Sequence, residues 1–171
     1  MIKQVKNKLQ MKQLKYLVIH CTATPEGRAV SKQDIIHWHT SPKHLGGRGW
    51  NRPGYSDLIY LDGSLINIQS FNQDNLVNSW EITNGAKGFN TISRHVAYVG
   101  GLDKSGKHPK DTRTTHQLHT METYIRYTLR RNPDLVIAGH NQLTRKACPG
   151  FDVPKWLRSI GIDNKNIFTK K

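Results

Sequence analysis

The sequence predicts a single α/β domain with a mixed central β-sheet flanked by helices. Its 171 residues suit one compact domain. Short apolar runs at 15–20, 95–99 and 135–138 have the length and composition of buried strands. Helical patterns lie between and after them, over 32–39, around Leu118 to Leu129 and beyond Asp152. Strands that alternate with helices fold into a sheet covered by helices.

The elements follow in order. Residues 1–14 form a basic leader, with Lys3, Lys6, Lys8 and Lys12. Tyr16, Leu17, Val18 and Ile19 make a buried strand ending at His20. Residues 22–30 contain Pro25 and Gly27 and read as a loop. Ser31 with Asp34 three residues on fits a capping box, so a helix should run over 32–39 with Ile35, Ile36 and Trp38 on its apolar face. The Gly-, Pro-, Arg- and His-rich stretch 40–54 reads as an irregular loop. Residues 57–61 and 64–68 flank Asp62-Gly63, which suits a type I′ hairpin turn. Residues 69–90 show little periodicity and read as a long surface segment.

The strand over 95–99 is stopped by Gly100-Gly101. Leu118, Met121, Ile125 and Leu129 share one face of the longest helix, with Tyr124 beside them. Thr114 or Thr115 can cap its start, and Asn132-Pro133 ends it. The strand over 135–138 leads into His140. Asp152 caps a last helix, with Pro154 in the first turn and Trp156 and Leu157 turned inward. The catalytic domain is expected over 15–160, and residues 161–171 as a basic tail.

Composition excludes several classes. The apolar runs are far too short to span a bilayer, so no transmembrane segment is expected. The basic N-terminus has no apolar stretch behind it, so the chain reads as lacking a signal peptide and as cytoplasmic when synthesised. Two cysteines, Cys21 and Cys148, are too few for a secreted disulfide framework, which points to a reducing compartment. Cys148 is then free for a metal, and Cys21 reads as a small buried residue. A net charge of +14 favours polyanions, among them nucleic acid, anionic lipid and bacterial cell wall. No nucleic-acid-binding motif accompanies it, so no specific nucleic acid is expected. With twelve acidic residues and no evident pair, a glycoside hydrolase ranks last.

The richest segment is Ala138-Gly139-His140-Asn141-Gln142-Leu143-Thr144-Arg145-Lys146-Ala147-Cys148-Pro149-Gly150-Phe151-Asp152. His140 and Cys148 can stand on two lips of a loop leaving a strand end. His20 sits at another strand end, and neighbouring strand ends can converge on one ion. Two imidazoles and one thiolate would leave a tetrahedral zinc one open position, as in a hydrolase. Nine histidines produce many accidental pairs, so spacing alone does not establish the site.

Val18-Ile19-His20-Cys21-Thr22-Ala23-Thr24 and Lys146-Ala147-Cys148-Pro149-Gly150-Phe151-Asp152 resemble the first and last motifs of the zinc N-acetylmuramoyl-L-alanine amidases. The chain is most similar to the bacteriophage lysozyme-type (type 2) amidases, relatives of the peptidoglycan recognition proteins. Ile36-His37-Trp38-His39, Gly54-Tyr55, Asp62-Gly63, Ala86-Lys87-Gly88-Phe89-Asn90 and Tyr98-Val99-Gly100-Gly101-Leu102-Asp103 follow in the family's order. The resemblance implies a Zn2+ ion held by His20, His140 and Cys148. It implies catalytic roles for Tyr55 and Lys146, and cleavage of the amide between N-acetylmuramic acid and L-alanine in bacterial peptidoglycan. With no signal peptide read in the sequence, action on the wall after release, or on cytoplasmic wall fragments, is expected. A monomer is the expected state.

The chain departs from that pattern in places. Ser56 and Asp57 stand where the family commonly has His and an aromatic, and Gly85 where a histidine is common. The loop over 41–53 is longer than in the phage enzymes. His37, His39, His44 and His95 have no assigned role, although His39 suits packing or support of the site. The competing reading is a peptidoglycan-binding module without catalysis. Non-catalytic relatives often lose the thiol, and Cys148 is present.

Overall fold

Strands that are apolar on both faces need cover on both faces, and the chain supplies a helix for each. The structure, a computed structural model, describes residues 11–170. In chain order the strands and helices are Lys12–Gln13 (β1), Tyr16–Cys21 (β2), Thr24–Pro25 (β3), Lys32–Thr40 (α1), Asp57–Ile59 (β4), Leu65–Asn67 (β5) and Leu76–Val77 (β6). Ser93–Tyr98 (β7), Gly101–Leu102 (β8), Thr115–Arg131 (α2), Val136–Gly139 (β9), the single turn His140–Leu143 (α3) and Val153–Ser159 (α4) complete them.

The central sheet has the order β5-β4-β7-β2-β9. β4, β7, β2 and β9 run parallel, and β5 joins β4 antiparallel, which makes the sheet mixed as expected. Alternation along the strands divides the core in two. Leu17, Ile19, Val96, Tyr98 and Ile137 pack with Met121 and Ile125 of α2 and Leu157 of α4. Leu58, Ala97 and Val99 pack on the opposite face with Ile35 of α1. His20 and His95 alternate onto this second face, which places two imidazoles where the first face carries hydrocarbon.

The helix ends form where the sequence places them. The Ser31 hydroxyl accepts from the Asp34 N–H, and the Asp34 carboxylate accepts from Ser31, completing the capping box of α1. Thr114 and Gln117 form the same reciprocal pair at α2. Asp152 caps α4, with Pro154 in its first turn. Among the described residues no helix is long and apolar enough to cross a membrane.

Three local expectations change. The hairpin closes through residues 60–64 rather than a two-residue type I′ turn, with Tyr60 N–H donating to the Ser64 carbonyl at 2.9 Å. Gly63 has φ +83°, but Asp62 does not share the positive φ that type I′ needs at both centres. Gly63 N–H donates to the Tyr60 carbonyl at 2.9 Å, and Gly63 takes the positive-φ position of a longer, bulged loop. An added Cβ there would also meet the His116 Cβ of α2 at 2.8 Å. The loop over 22–30 contains β3, which pairs with β8. The stretch 69–90 is not all surface: β6 pairs with β1, and the buried Glu81 carboxylate accepts from the Asn78 N–H at 2.6 Å. Polar fastening of this kind leaves no hydrophobic periodicity to read.

Residues 1–10 of the leader and Lys171 of the tail lie outside the described residues. Neighbouring parts of both segments pack on the domain. Leu14 is buried in the larger core, and Ile162 and Ile167 join it, with Phe168 N–H donating to the Ile137 carbonyl beside β9.

Candidate metal centre

The parallel strands end together, and ligands in open α/β sheets gather at such carboxyl ends. His20 is the penultimate residue of β2, and His140 follows β9 directly as the first residue of α3. β2 and β9 are hydrogen-bonded neighbours, so the two imidazoles approach with ring centroids 4.5 Å apart. The chain then returns through residues 144–152. The Tyr98 hydroxyl donates to the Pro149 carbonyl at 2.7 Å, and Gly150 N–H to the Ala147 carbonyl at 2.8 Å. This return places the Cys148 sulfur 3.2 Å from the Cys21 N–H and 3.7 Å from His20 Nδ1. Gly101, at φ +102°, lets the next turn close over Cys21, since a Cβ there would sit 2.3 Å from its sulfur.

One ligand atom each from His20, His140 and Cys148 lies within 4.8 Å of the others. Donors around a tetrahedral zinc stand about 3.3–3.8 Å apart, given bonds of about 2.0–2.3 Å. The 3.7 Å separation is in that range, and imidazole with thiolate is a donor set that suits zinc. The residues therefore fit a zinc ion with small side-chain adjustments.

Burial sets the protonation states. Desolvation, assisted by the neighbouring His95, His140 and Lys146, holds His20 well below the usual histidine range. Desolvation and then Lys146 bring His140 to about 4. Both imidazoles are thus neutral at neutral pH, the form a metal requires. The hydrogen bond shared with Cys21, together with burial, pushes the Cys148 thiol up, so metal binding must release its proton.

Tyr55 stands beside the cluster, its ring centroid 5.2 Å from that of His20. Its hydroxyl donates to the Cys21 carbonyl at 3.2 Å, and burial, then the nearby Cys148, keeps the phenol protonated. Lys146 is exposed on the loop that carries Cys148, and its charge reaches both His20 and His140.

Further histidines support the same face. His39 is buried, stacks on Trp50 at 5.1 Å and accepts from the Gly54 N–H at 3.1 Å, which holds the backbone entering Tyr55. His95 is fully buried, with Nδ1 3.0 Å from His20 Nε2. The sequence left His95 unassigned. A histidine inside a strand buried on both faces was the available signal, because such a ring needs a partner. Gly85 lies against it: a Cβ there would be 2.3 Å from His95 Nδ1. Asp57 turns to the other face and accepts from the Tyr124 hydroxyl at 2.7 Å, so that departure lies away from the site.

Desolvation brings His39 to about 4 and His95 to about 3, as it brings His140 to about 4. All three lie below the unfolded value of about 6.5. Their contribution to stability is complete above that value and is lost as pH falls toward 4 and 3. Unfolding the metal-free protein at pH 5 should therefore take up about three protons at these groups, and a further contribution comes from His20, which burial also holds low. Calorimetry in buffers of different ionisation enthalpy reads that uptake, and Tm should fall between pH 7 and 5. A flat Tm with no uptake would contradict the assignment.

Comparisons with known proteins bear on the family and the fold. The family described as N-acetylmuramoyl-L-alanine amidase matches residues 10–151. The endolysin of Enterobacteria phage K11 is 29% identical over 141 residues, covering 82% of this chain and 83% of that protein. The Ph2119 endolysin from Thermus scotoductus MAT2119 bacteriophage Ph2119 superposes with a TM-score of 0.64 at 24% identity, covering 92% of this chain and 87% of that one. Drosophila peptidoglycan recognition protein SA superposes with a TM-score of 0.66 at 16% identity, covering 95% and 88%. At these identities the two structural likenesses establish the shared fold.

Proposed function

The chain belongs to the N-acetylmuramoyl-L-alanine amidase family and is an enzyme that cleaves the amide between N-acetylmuramic acid and L-alanine in peptidoglycan; we propose that it does so as a zinc hydrolase, with His20, His140 and Cys148 as ligands and Tyr55 and Lys146 as catalytic residues. The convergence of those three ligand atoms within 4.8 Å supports the reading most directly. Zinc in such a site supplies a Lewis acid and lowers the pKa of water to about 7.

The protein groups divide the remaining work. His20 and His140 offer neutral nitrogens, and Cys148 offers a thiolate once its proton has left. Tyr55 presents a protonated phenol at the edge of the cluster. Its hydroxyl can turn from the Cys21 carbonyl toward the attacking water or the substrate oxygen and manage a proton there. Lys146 brings a cation to the exposed lip, where charge develops on the amide oxygen. The L-alanine amine leaves after protonation, with no covalent enzyme intermediate. The positive surface suits an anionic wall polymer, and a monomer suffices because every proposed group comes from one chain. Action on the sacculus after release, or on wall fragments, is compatible with this site.

Digestion of purified peptidoglycan tests the reading. The zinc-loaded protein should release new L-alanine amino groups without new reducing sugar ends, and His140→Ala should release neither. New reducing ends would overturn the amidase assignment. Equal amine release by His140→Ala would overturn the ligand assignment.

A further inference from the structure

His20 has two ring nitrogens with separate surroundings. Nδ1 faces the Cys148 sulfur at 3.7 Å, and Nε2 lies 3.0 Å from His95 Nδ1. A neutral imidazole carries one proton, so its position decides which nitrogen has a lone pair for a metal. If Nδ1 is the ligand atom, the proton must sit on Nε2 and be donated to His95 Nδ1. His95 then holds its own proton on Nε2. The opposite arrangement, with His95 Nδ1 donating, leaves the proton of His20 on the nitrogen that faces Cys148 and blocks it.

His95 is built to hold one orientation. It comes from β7, the strand hydrogen-bonded to β2 on the side away from β9. Its register partner is Val18, two residues before His20, so both side chains project from the same face of the sheet. The ring is fully buried, and Gly85 approaches so closely that any larger residue would displace it. His95 Nε2 has no partner among the described residues, so the contact with His20 is the ring's one side-chain hydrogen bond. The ring is not in the cluster of ligand atoms.

We propose that His95 is a positioning residue: by accepting the Nε2–H of His20 it keeps His20 Nδ1 bare and aimed at Cys148 and His140. Partners of this kind fix the tautomer and ring orientation of metal-binding histidines, and their loss costs about 10–100-fold in metal affinity. The departure at Gly85 then has a structural meaning, because a histidine there would occupy the space of the His95 ring. The proposal rests on the zinc reading above and assigns a role to a residue that reading does not use.

Zinc affinity, measured by competition with a chelating indicator, separates the possibilities. His95→Leu fills the space without an acceptor and should weaken zinc binding about 10–100-fold. His95→Asn places an amide oxygen near the former Nδ1 and should recover most of that loss. Unchanged affinity in a folded His95→Leu protein would overturn the proposal. Nitrogen-15 NMR of the unsubstituted protein gives a second readout that needs no variant. His20 and His95 should both carry their protons on Nε2, and a proton on His95 Nδ1 would overturn the proposal even if His95→Leu failed to fold. Absence of zinc binding by the unsubstituted protein would instead remove the metal reading, and this inference with it.

Discussion

Cys148→Ser is expected to lose both zinc and turnover while keeping the fold. A serine hydroxyl does not ionise at neutral pH and is a poor zinc donor beside two neutral imidazoles. Losing a supporting partner of a ligand already costs about 10–100-fold in affinity, so losing the thiolate itself should cost more than about 100-fold. The fold should survive because Cys148 is half-buried and packs at the margin of the main core. The Cys21 N–H that now meets its sulfur at 3.2 Å could meet a hydroxyl instead. Metal analysis of the purified variant should give far less than one zinc per chain, with amine release from peptidoglycan at background. A folded Cys148→Ser protein holding a full equivalent of zinc and turning over normally would remove Cys148 from the site.

Lys146→Ala should separate chemistry from metal binding. Lys146 is exposed, two residues before Cys148, and its side chain holds no hydrogen bond among the described residues. Zinc content and thermal stability should therefore stay close to those of the parent. Removing one donor to a developing oxyanion typically costs about 10²–10³ in kcat. The fall should appear in kcat more than in KM, because the charge it meets develops only in the transition state. Near-full kcat in the variant would reduce Lys146 to a solvated lysine of a basic protein. If kcat fell only in proportion to zinc content, the residue would belong to metal retention instead.

Much of the fold was legible because local chemistry and tertiary role agree. Ser31 with Asp34 carries its cap in a four-residue window, and of the two threonines that could cap α2 it is Thr114 that does. The apolar runs that became β2, β7 and β9 are buried on both faces, so continuous hydrophobicity was a sufficient signal. The stretch 69–90 was illegible for the opposite reason. It is held by a short pairing with β1 and by the Glu81 carboxylate, and neither leaves a period in the sequence. The hairpin turn differs because Asp62-Gly63 suits a longer bulged loop as well as a type I′ turn, since both place a glycine at positive φ.

The candidate site divides along the same line. His20, Tyr55, His140, Lys146 and Cys148 were candidates from motif order, because each stands beside a strand end or in a short punctuated loop. Their convergence depended on sheet order. His140 reaches His20 because β9 lies next to β2, a pairing between residues more than a hundred positions apart. His95 depended on that order still more: it meets His20 only because β7 takes β2's other side and the register offsets the two rings by two residues. By itself the sequence determined the residue types, the caps and the buried strands, since these follow from side-chain chemistry over a few neighbouring positions. Only the tertiary structure decided which nitrogen of His20 faces Cys148 and which is held by His95, because the packing of β7 and Gly85 around the ring sets that direction.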